Sequence, residues 1–523
     1  MTPEQRADLH VHSRYSDRSS HPVVRALGSA ESFTEPLDIY RLARARGMDF
    51  VTITDHDTLA GSLAIAHLPG TFLSVELSTR LPEAGLPLHV VALDIPERLF
   101  PAARAAARAS VHDLVACLRE AGVAHFLAHP FLDPRRRLTP DALERLLLLF
   151  NVFEGRNGAR TALANGLLQQ VVAALTPERL AAMAERQGIA PWGEEPWRKA
   201  LVGGSDDHSG LFVAGAWTAA GGDGTATGFV RAVAAGRCRP GGDDGSALTL
   251  AHNIYASAFW RLRELLRLDE PPARRRLHGP LRRTFGRVGR DVPVLEKTVH
   301  GVRRLAPGLY RGGDGPGPAW EALLARDVAP LAAPGGLAAV GTAELDRRLF
   351  RVAATLADAV VRHHLTTLLD RRQAPRRRAL AGFAVALVHL LELPYFYAWR
   401  HHAAERRRLA PLRARLWPGA GPHDGRAAVV GGDAAALAVA PEPLRLLVGA
   451  EGEGGDGDGL VAVPALALRP SPDGGSPRPV LPSLLLLLDH LDRAHATALR
   501  SADRGALRLA ARLAGRLLRL RLL

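Results

Sequence analysis

Histidines and carboxylates recur along this 523-residue chain in short, separate groups. His10 and His12 form a His-x-His pair with Asp17 just after it, and Asp55-His56-Asp57 comes next. Glu76, His89, His129 (in Ala-His-Pro) and Asp206-Asp207-His208 follow in that order. Neutral imidazole and carboxylate are the ligands of zinc, manganese and iron, and a carboxylate can bridge two ions. Gathered in one place without cations, such groups carry a large desolvation and repulsion cost. Bound cations neutralise the acids and favour deprotonated imidazole. Six histidines with Asp17, Glu76 and Asp206 exceed what one tetrahedral ion takes and suffice for two or three. Each group alone has an ordinary reading: a chance pair on a strand, a hydrogen-bonded Asp/Thr loop, a surface acid, a turn. Their joint occurrence, mostly at strand ends, points to a metal centre.

The elements that must gather these residues are legible in the apolar runs. Candidate strands are Ala7–His12, Phe50–Thr54, Phe72–Glu76, Leu88–Leu93, Ala124–Ala128, Asn151–Glu154 and Leu201–Ser205. Several are apolar on successive residues, as strands buried on both faces are. Helical stretches separate them: Glu35–Arg46, Pro101–Ala121, Pro140–Phe150 after Thr139, Pro177–Gln187 after Thr176, and Thr225–Ala235. Seven strands with intervening helices indicate a parallel α/β barrel, irregular where Leu77–Pro87 is too short to hold a helix. Loops at the carboxyl ends of barrel strands open on one face, so residues distant in sequence share a mouth. His89, early in its strand, is the exception.

The chain is 47% hydrophobic and 23% charged, which excludes a disordered or collagen-like protein. Its two cysteines, Cys117 and Cys238, exclude a disulfide framework or a cysteine-rich metal site and suit a cytoplasmic location. Met1–Ser13 has no apolar core behind a basic flank, so no secretory signal is expected. Residues 1–250 carry 25 Lys and Arg against 28 acids, whereas residues 251–523 carry 42 against 25. The division expected is a barrel at 1–245 and a basic, mostly helical region at 246–523, with helices at Leu248–Leu268, Ala343–Asp370, Arg376–Arg408 and Leu481–Leu523. The apolar Ala381–Trp399 holds His389, Glu392 and Pro394, so it reads as a buried helix and no membrane span is expected. Contact of the basic region with anionic membrane or nucleic acid is the sharper reading of its charge, and an oligomerisation scaffold the plainer one.

Residues 6 to about 240 resemble the PHP (polymerase and histidinol phosphatase) domain family, through Asp8-Leu-His-Val-His-Ser13, Thr54-Asp-His-Asp-Thr58, Val75-Glu76, His89, Ala128-His-Pro130 and Ser205-Asp-Asp-His208. The resemblance implies a distorted seven-stranded (β/α) barrel with two or three divalent ions (zinc, manganese or iron). It assigns His10, His12, Glu76 and Asp206 to one ion, Glu76, His89 and His129 to a second, and Asp17, His56 and His208 to a third. Asp206 is chosen over Asp207 on the family's Asp-x-His spacing. The chemistry implied is hydrolysis of a phosphomonoester or nucleotide-type phosphodiester, by a water that ions deprotonate while they bind phosphoryl oxygens. The partner is then a small phosphorylated substrate or a nucleotide or oligonucleotide end. Asp55 and His208 are the candidates to protonate the leaving oxygen. Arg14, Arg18, Arg135 and Arg156 are candidate phosphate clamps, since guanidinium forks match phosphate oxygens. Two rivals stand beside this reading: hydrolysis of a C–N bond at the same type of site, and a non-catalytic module whose ions staple a partner-binding rim.

Overall fold

A computed structural model describes residues 4–16, 30–133, 137–265 and 322–353, scattered positions between 398 and 412, and four strands beyond 426. The chain divides into two compact units, one of residues 1–265, 334–345 and 411–420, the other of the remainder.

The first unit is mixed α/β. One sheet has the order β2-β1-β8-β9, with β1 Gln5–Asp8, β2 Phe50–Val51, β8 Ala216–Ala220 and β9 Cys238–Gly242. The other runs β3 (Ser74–Leu81), β4 (Leu86–Leu93), β5 (Ala124–Leu127), β6 (Val152–Asn157) and β7 (Ala200–Gly204) in sequence order. Continuous ladders do not close these into a barrel. The sheets meet at two seams made of single bridges, Val51–Thr71 and His56–Glu76 on one side and Val11–Asp207 on the other. Backbone bonds reinforce both seams, from Asp57 N to Glu76 O (2.9 Å) and from His12 N to Asp207 O (3.1 Å).

The expected all-parallel, seven-stranded arrangement is corrected: the two sheets hold nine strands, β8 runs antiparallel to both β1 and β9, and β4 runs antiparallel to both β3 and β5. The turn around Gly85 is too short for a crossover, so only a hairpin can form there. That reversal also explains His89. Early in an antiparallel strand, it lies beside the late residues of its neighbours, and its carbonyl accepts from Ala128 N at 3.0 Å.

Helices fill the connections: α1 (Pro36–Ala45), α2 (Ala60–Ile65), α3 (Phe100–Ala109), α4 (Val111–Glu120), α5 (Pro140–Leu149), α6 (Ala162–Ala173), α7 (Pro177–Gln187) and α8 (Ala226–Ala234). Thr139, Thr176 and Thr225 cap α5, α7 and α8 by accepting from a backbone N–H three residues on. The single helix expected over Pro101–Ala121 is two, because Ser110 is extended (φ −163°) and caps α4 through Asp113 N. Phe50, Phe126, Val202 and Phe229 anchor a core between strands and α8. The first unit continues past residue 245 into α9 (Ala247–Leu265), which packs on it.

The second unit holds strands that the sequence reading did not expect, together with helical residues at 322–332 and 346–353. Four strands, β10 (Ala427–Gly431), β11 (Leu444–Val448), β12 (Leu460–Val463) and β13 (Ala496–Leu499), pair in parallel in the order β12-β11-β10-β13. The strand at Ala496–Leu499 interrupts the helix expected over Leu481–Leu523. Apolar runs of four or five residues have no period that separates strand from helix, which is why composition misled here. The stretch 381–397 lies outside the described residues.

Candidate metal centre

Glu76, fully buried in β3, is the hub. Its Oε2 lies 3.3 Å from His10 Nε2, 3.2 Å from His12 Nε2 and 3.1 Å from His56 Nδ1. Its Oε1 lies 2.9 Å from His89 Nδ1 and 3.1 Å from His129 Nε2. Asp206 Oδ1 stands 3.5 Å from both His10 Nε2 and His12 Nε2, and His208 stacks on His12 with ring centroids 4.3 Å apart. Six histidines and two acids expected from the sequence therefore meet in one place. Within it, four trios have donor atoms that all lie within 4.8 Å of one another: His12-His56-His208, His10-His12-Glu76, His10-His129-Asp206 and His56-Glu76-His89.

The donor atoms fit divalent cations. His56 Nδ1, His89 Nδ1, His208 Nε2 and Glu76 Oε2 are buried and make no aligned hydrogen bond among the described residues, although each has an oppositely charged neighbour close by. Buried polar atoms are ordinarily hydrogen-bonded, so lone pairs that converge without bonding suit an ion between them.

Backbone geometry aims several ligands. His129 (φ 27°) and Asp206 (φ 50°) occupy the left-handed region, a strained conformation for these residues that concentrates at functional sites. Gly204 lets β7 approach β1, since a Cβ there would sit 2.3 Å from His10 Cβ. Asp206 N donates to His10 O at 2.6 Å.

A second layer holds the ligands. Glu154 Oε1 accepts from His10 Nδ1 at 2.9 Å, while its Oε2 accepts from His129 N at 2.8 Å and Asn157 Nδ2 at 2.9 Å. Ser16 Oγ meets His12 Nδ1 at 3.0 Å, and the Asp206 carbonyl accepts from His208 Nδ1 at 2.9 Å, leaving Nε2 toward the pocket. Such partners set the tautomer that points a lone pair at an ion.

At His10, His56, His89, His208, Glu76 and Asp206 burial by itself favours the uncharged form. Ion contacts outweigh it at His56, pushed up to about 10 by Glu76 and Glu31, and at His10, raised by Glu154, Glu76 and Asp206. The histidines in turn hold Glu76 and Asp206 well below the usual carboxylate range, against the upward pull of burial. At His89 and His208 burial wins, reinforced at His208 by His12, and both are lowered.

The two aspartates face different ways. Asp206 faces the histidines, whereas Asp207 accepts from Ser209 N (3.1 Å) and Gly210 N (2.7 Å) and holds the turn. Asp55, expected as a proton donor, instead accepts from Ser13 N (2.6 Å), Ser13 Oγ (2.6 Å) and Ser16 Oγ (3.0 Å), so both its oxygens are committed to positioning the His12 loop. Arg14 pairs with Glu35 on the surface and Arg156 donates to the Gly242 carbonyl, which takes both away from the pocket. Asp17, Arg18 and Arg135 lie outside the described residues.

Sequence reasoning missed four groups. Glu31, buried, lies 3.1 Å from His56 Nε2 and 3.7 Å from His208 Nε2. Glu154 and Asn157 form the second layer, and Arg160 lines the pocket with its Nη2 3.7 Å from Asp206 Oδ2. Glu154 ends a short apolar run, and Asn157 and Arg160 follow it closely, which was the available signal. Glu31 follows a segment with no clear pattern. The pocket holds about 560 Å³ of open space, solvent at its mouth included.

No known family profile matches the chain. An uncharacterized protein of Methanocaldococcus jannaschii is 33% identical over 102 residues, which are 18% of this chain and 56% of that protein, so the chain spans about half the length of this curated relative. Among solved structures, a provisionally named metal-dependent phosphoesterase of Bifidobacterium adolescentis is 18% identical, covers 40% of this chain and 89% of its own, and has a TM-score of 0.26. An amidohydrolase of Chromobacterium violaceum, solved with sulfate and no metal, is 19% identical, with coverage of 39% and 87% and the same TM-score of 0.26. Among the described residues no helix is long and apolar enough to cross a membrane.

Proposed function

We propose that the chain is a metal-dependent hydrolase of phosphoester bonds, with the two bridged sheets acting as a distorted barrel whose rim carries the site. The observation behind the phosphoester reading is Arg160. Its guanidinium lines the same pocket as the metal donors, its side chain is 13% exposed, and its Nε makes no hydrogen bond among the described residues. A guanidinium with donors to spare beside a cation site suits an anionic substrate with several oxygens, which a phosphoryl group is and a neutral amide is not.

His10, His12, His56, His89, His129, Glu76 and Asp206 would hold two or three ions of zinc, manganese or iron, which supply an activated water and neutralise phosphoryl oxygens. Arg160 orients the phosphoryl group. His208, with Nε2 toward the pocket and Nδ1 bonded to the Asp206 carbonyl, is the candidate to share in proton transfer to the leaving oxygen. Glu154 keeps His10 in its ligating tautomer.

The test is a metal-supplemented screen of phosphate esters on wild type, His10→Ala and Glu76→Gln. Phosphate release by wild type alone is the expected result. Equal turnover by all three proteins would reject the site, and ammonia release from amino-substituted heterocycles in place of phosphate would favour C–N hydrolysis. Metal that raises thermal stability while no substrate turns over would point to the stapled binding module.

A further inference from the structure

Helix α9 closes one side of the pocket, with Leu250, Asn253, Ile254 and Ser257 among the lining residues. Their spacing of three, four and seven places them on one helical face. Two of the four are tethers. Asn253 Oδ1 accepts from His208 N at 3.3 Å, and Ser257 Oγ donates to the Glu31 carbonyl at 2.9 Å, which fastens the helix to the two loops beside the metal donors. The other two, Leu250 and Ile254, are 6% and 4% exposed and join Leu132 and Ala159 as the apolar part of the lining.

We infer that this face selects the leaving group, and that the ester cleaved carries an alcohol with an apolar surface, an aryl or alkyl group in preference to a polyol. The inference rests on the phosphoester reading. Hydrolysis exchanges one P–O bond for another: water oxygen bonds to phosphorus, the bond to the alcohol oxygen breaks, and the alcohol departs with a proton as phosphate is released. In-line displacement places the entering and departing oxygens on opposite sides of phosphorus. The histidines and acids that would hold the ions gather on one part of the lining, so an entering water comes from them and the alcohol leaves toward the remainder. There it meets Leu250, Ile254 and Leu132. A polyol would turn hydroxyls toward the hydrocarbon of Leu250, Ile254 and Leu132, which offers them no partner, whereas an apolar group loses nothing against these three side chains and sheds water.

The experiment follows inorganic phosphate released from phenyl phosphate and from glycerol phosphate by the full-length, manganese-loaded protein. Wild type, Leu250→Ala and Ile254→Thr are compared, with metal content and melting temperature measured on each. Wild type should favour phenyl phosphate in kcat/KM by about tenfold or more, and each variant should reduce that ratio by about tenfold through KM, with metal content unchanged. Equal kcat/KM for the two esters in wild type, or a ratio that neither variant moves, would overturn the inference and leave the phosphoesterase standing. Absence of phosphate from both esters would overturn the phosphoester reading and this inference with it.

Discussion

Glu154→Gln tests the metal centre without touching a ligand. In the wild type the Glu154 carboxylate can only accept, so His10 Nδ1, 2.9 Å away, carries the proton and Nε2 presents a lone pair to the centre. Glutamine keeps the shape but must choose an orientation. Two donors, His129 N and Asn157 Nδ2, converge on the other oxygen, so the amide oxygen stays with them and the amide NH2 turns to His10. Nδ1 must then accept, which moves the imidazole proton to Nε2 and points N–H at the place where an ion would bind. Losing a partner of this kind costs about 10- to 100-fold in metal affinity, about 1.4–2.8 kcal/mol. The assay is titration of metal-stripped protein with manganese or zinc against a competing chelator, with melting in excess chelator as the control for folding. The variant should melt as wild type does without metal and gain less stability with it. Wild-type affinity in Glu154→Gln would refute the tautomer argument and the assignment of His10 Nε2 as a ligand atom.

Glu31→Gln removes the acid that faces His56 Nε2 and His208 Nε2, and should weaken the most loosely held ion about tenfold, read as metal content after dialysis; unchanged content would remove Glu31 from the centre. Gly204→Ala places a Cβ 2.3 Å from His10 Cβ and 2.7 Å from His10 N, so β1 and β7 must part. A loss of about 2–4 kcal/mol in denaturant unfolding, together with weaker metal binding, is expected. Lys199, at the far end of β7 from the site, is brought down to about 7 by burial, with Asn151 Oδ1 at 3.0 Å. Its folded pKa lies below the unfolded one, so stability is lowest below about pH 7 and rises as pH climbs toward roughly 10. Lys199→Met should flatten that rise and gain about 1–2 kcal/mol at pH 6 after loss of the Asn151 bond; an unchanged slope in pH-dependent melting would show that Lys199 does not drive it.

The donor set was readable from the chain because each donor is announced by its own residue type and by its strand. His10, His12, Glu76, His129 and Asp206 stand at or beside apolar runs that the structure confirms as strands, and Thr139, Thr176 and Thr225 mark helix starts in the residues next to them. These are local properties, settled by a residue and its near neighbours. The choice of Asp206 over Asp207, the demotion of Asp55 to a loop brace and the withdrawal of Arg14 and Arg156 depended on which way each side chain faces, and adjacent residues in a loop differ in that without differing in type. Glu154 reaches His10 across 144 residues, and α9 brings Leu250 and Ile254 to a pocket whose metal donors all precede it in sequence. The amino-acid order by itself determined which groups could bind metal and which strands would carry them. Tertiary structure alone decided which acid faces which imidazole, because hydrogen bonds and ion contacts form between surfaces that only the packing of strands and helices brings within 3–4 Å.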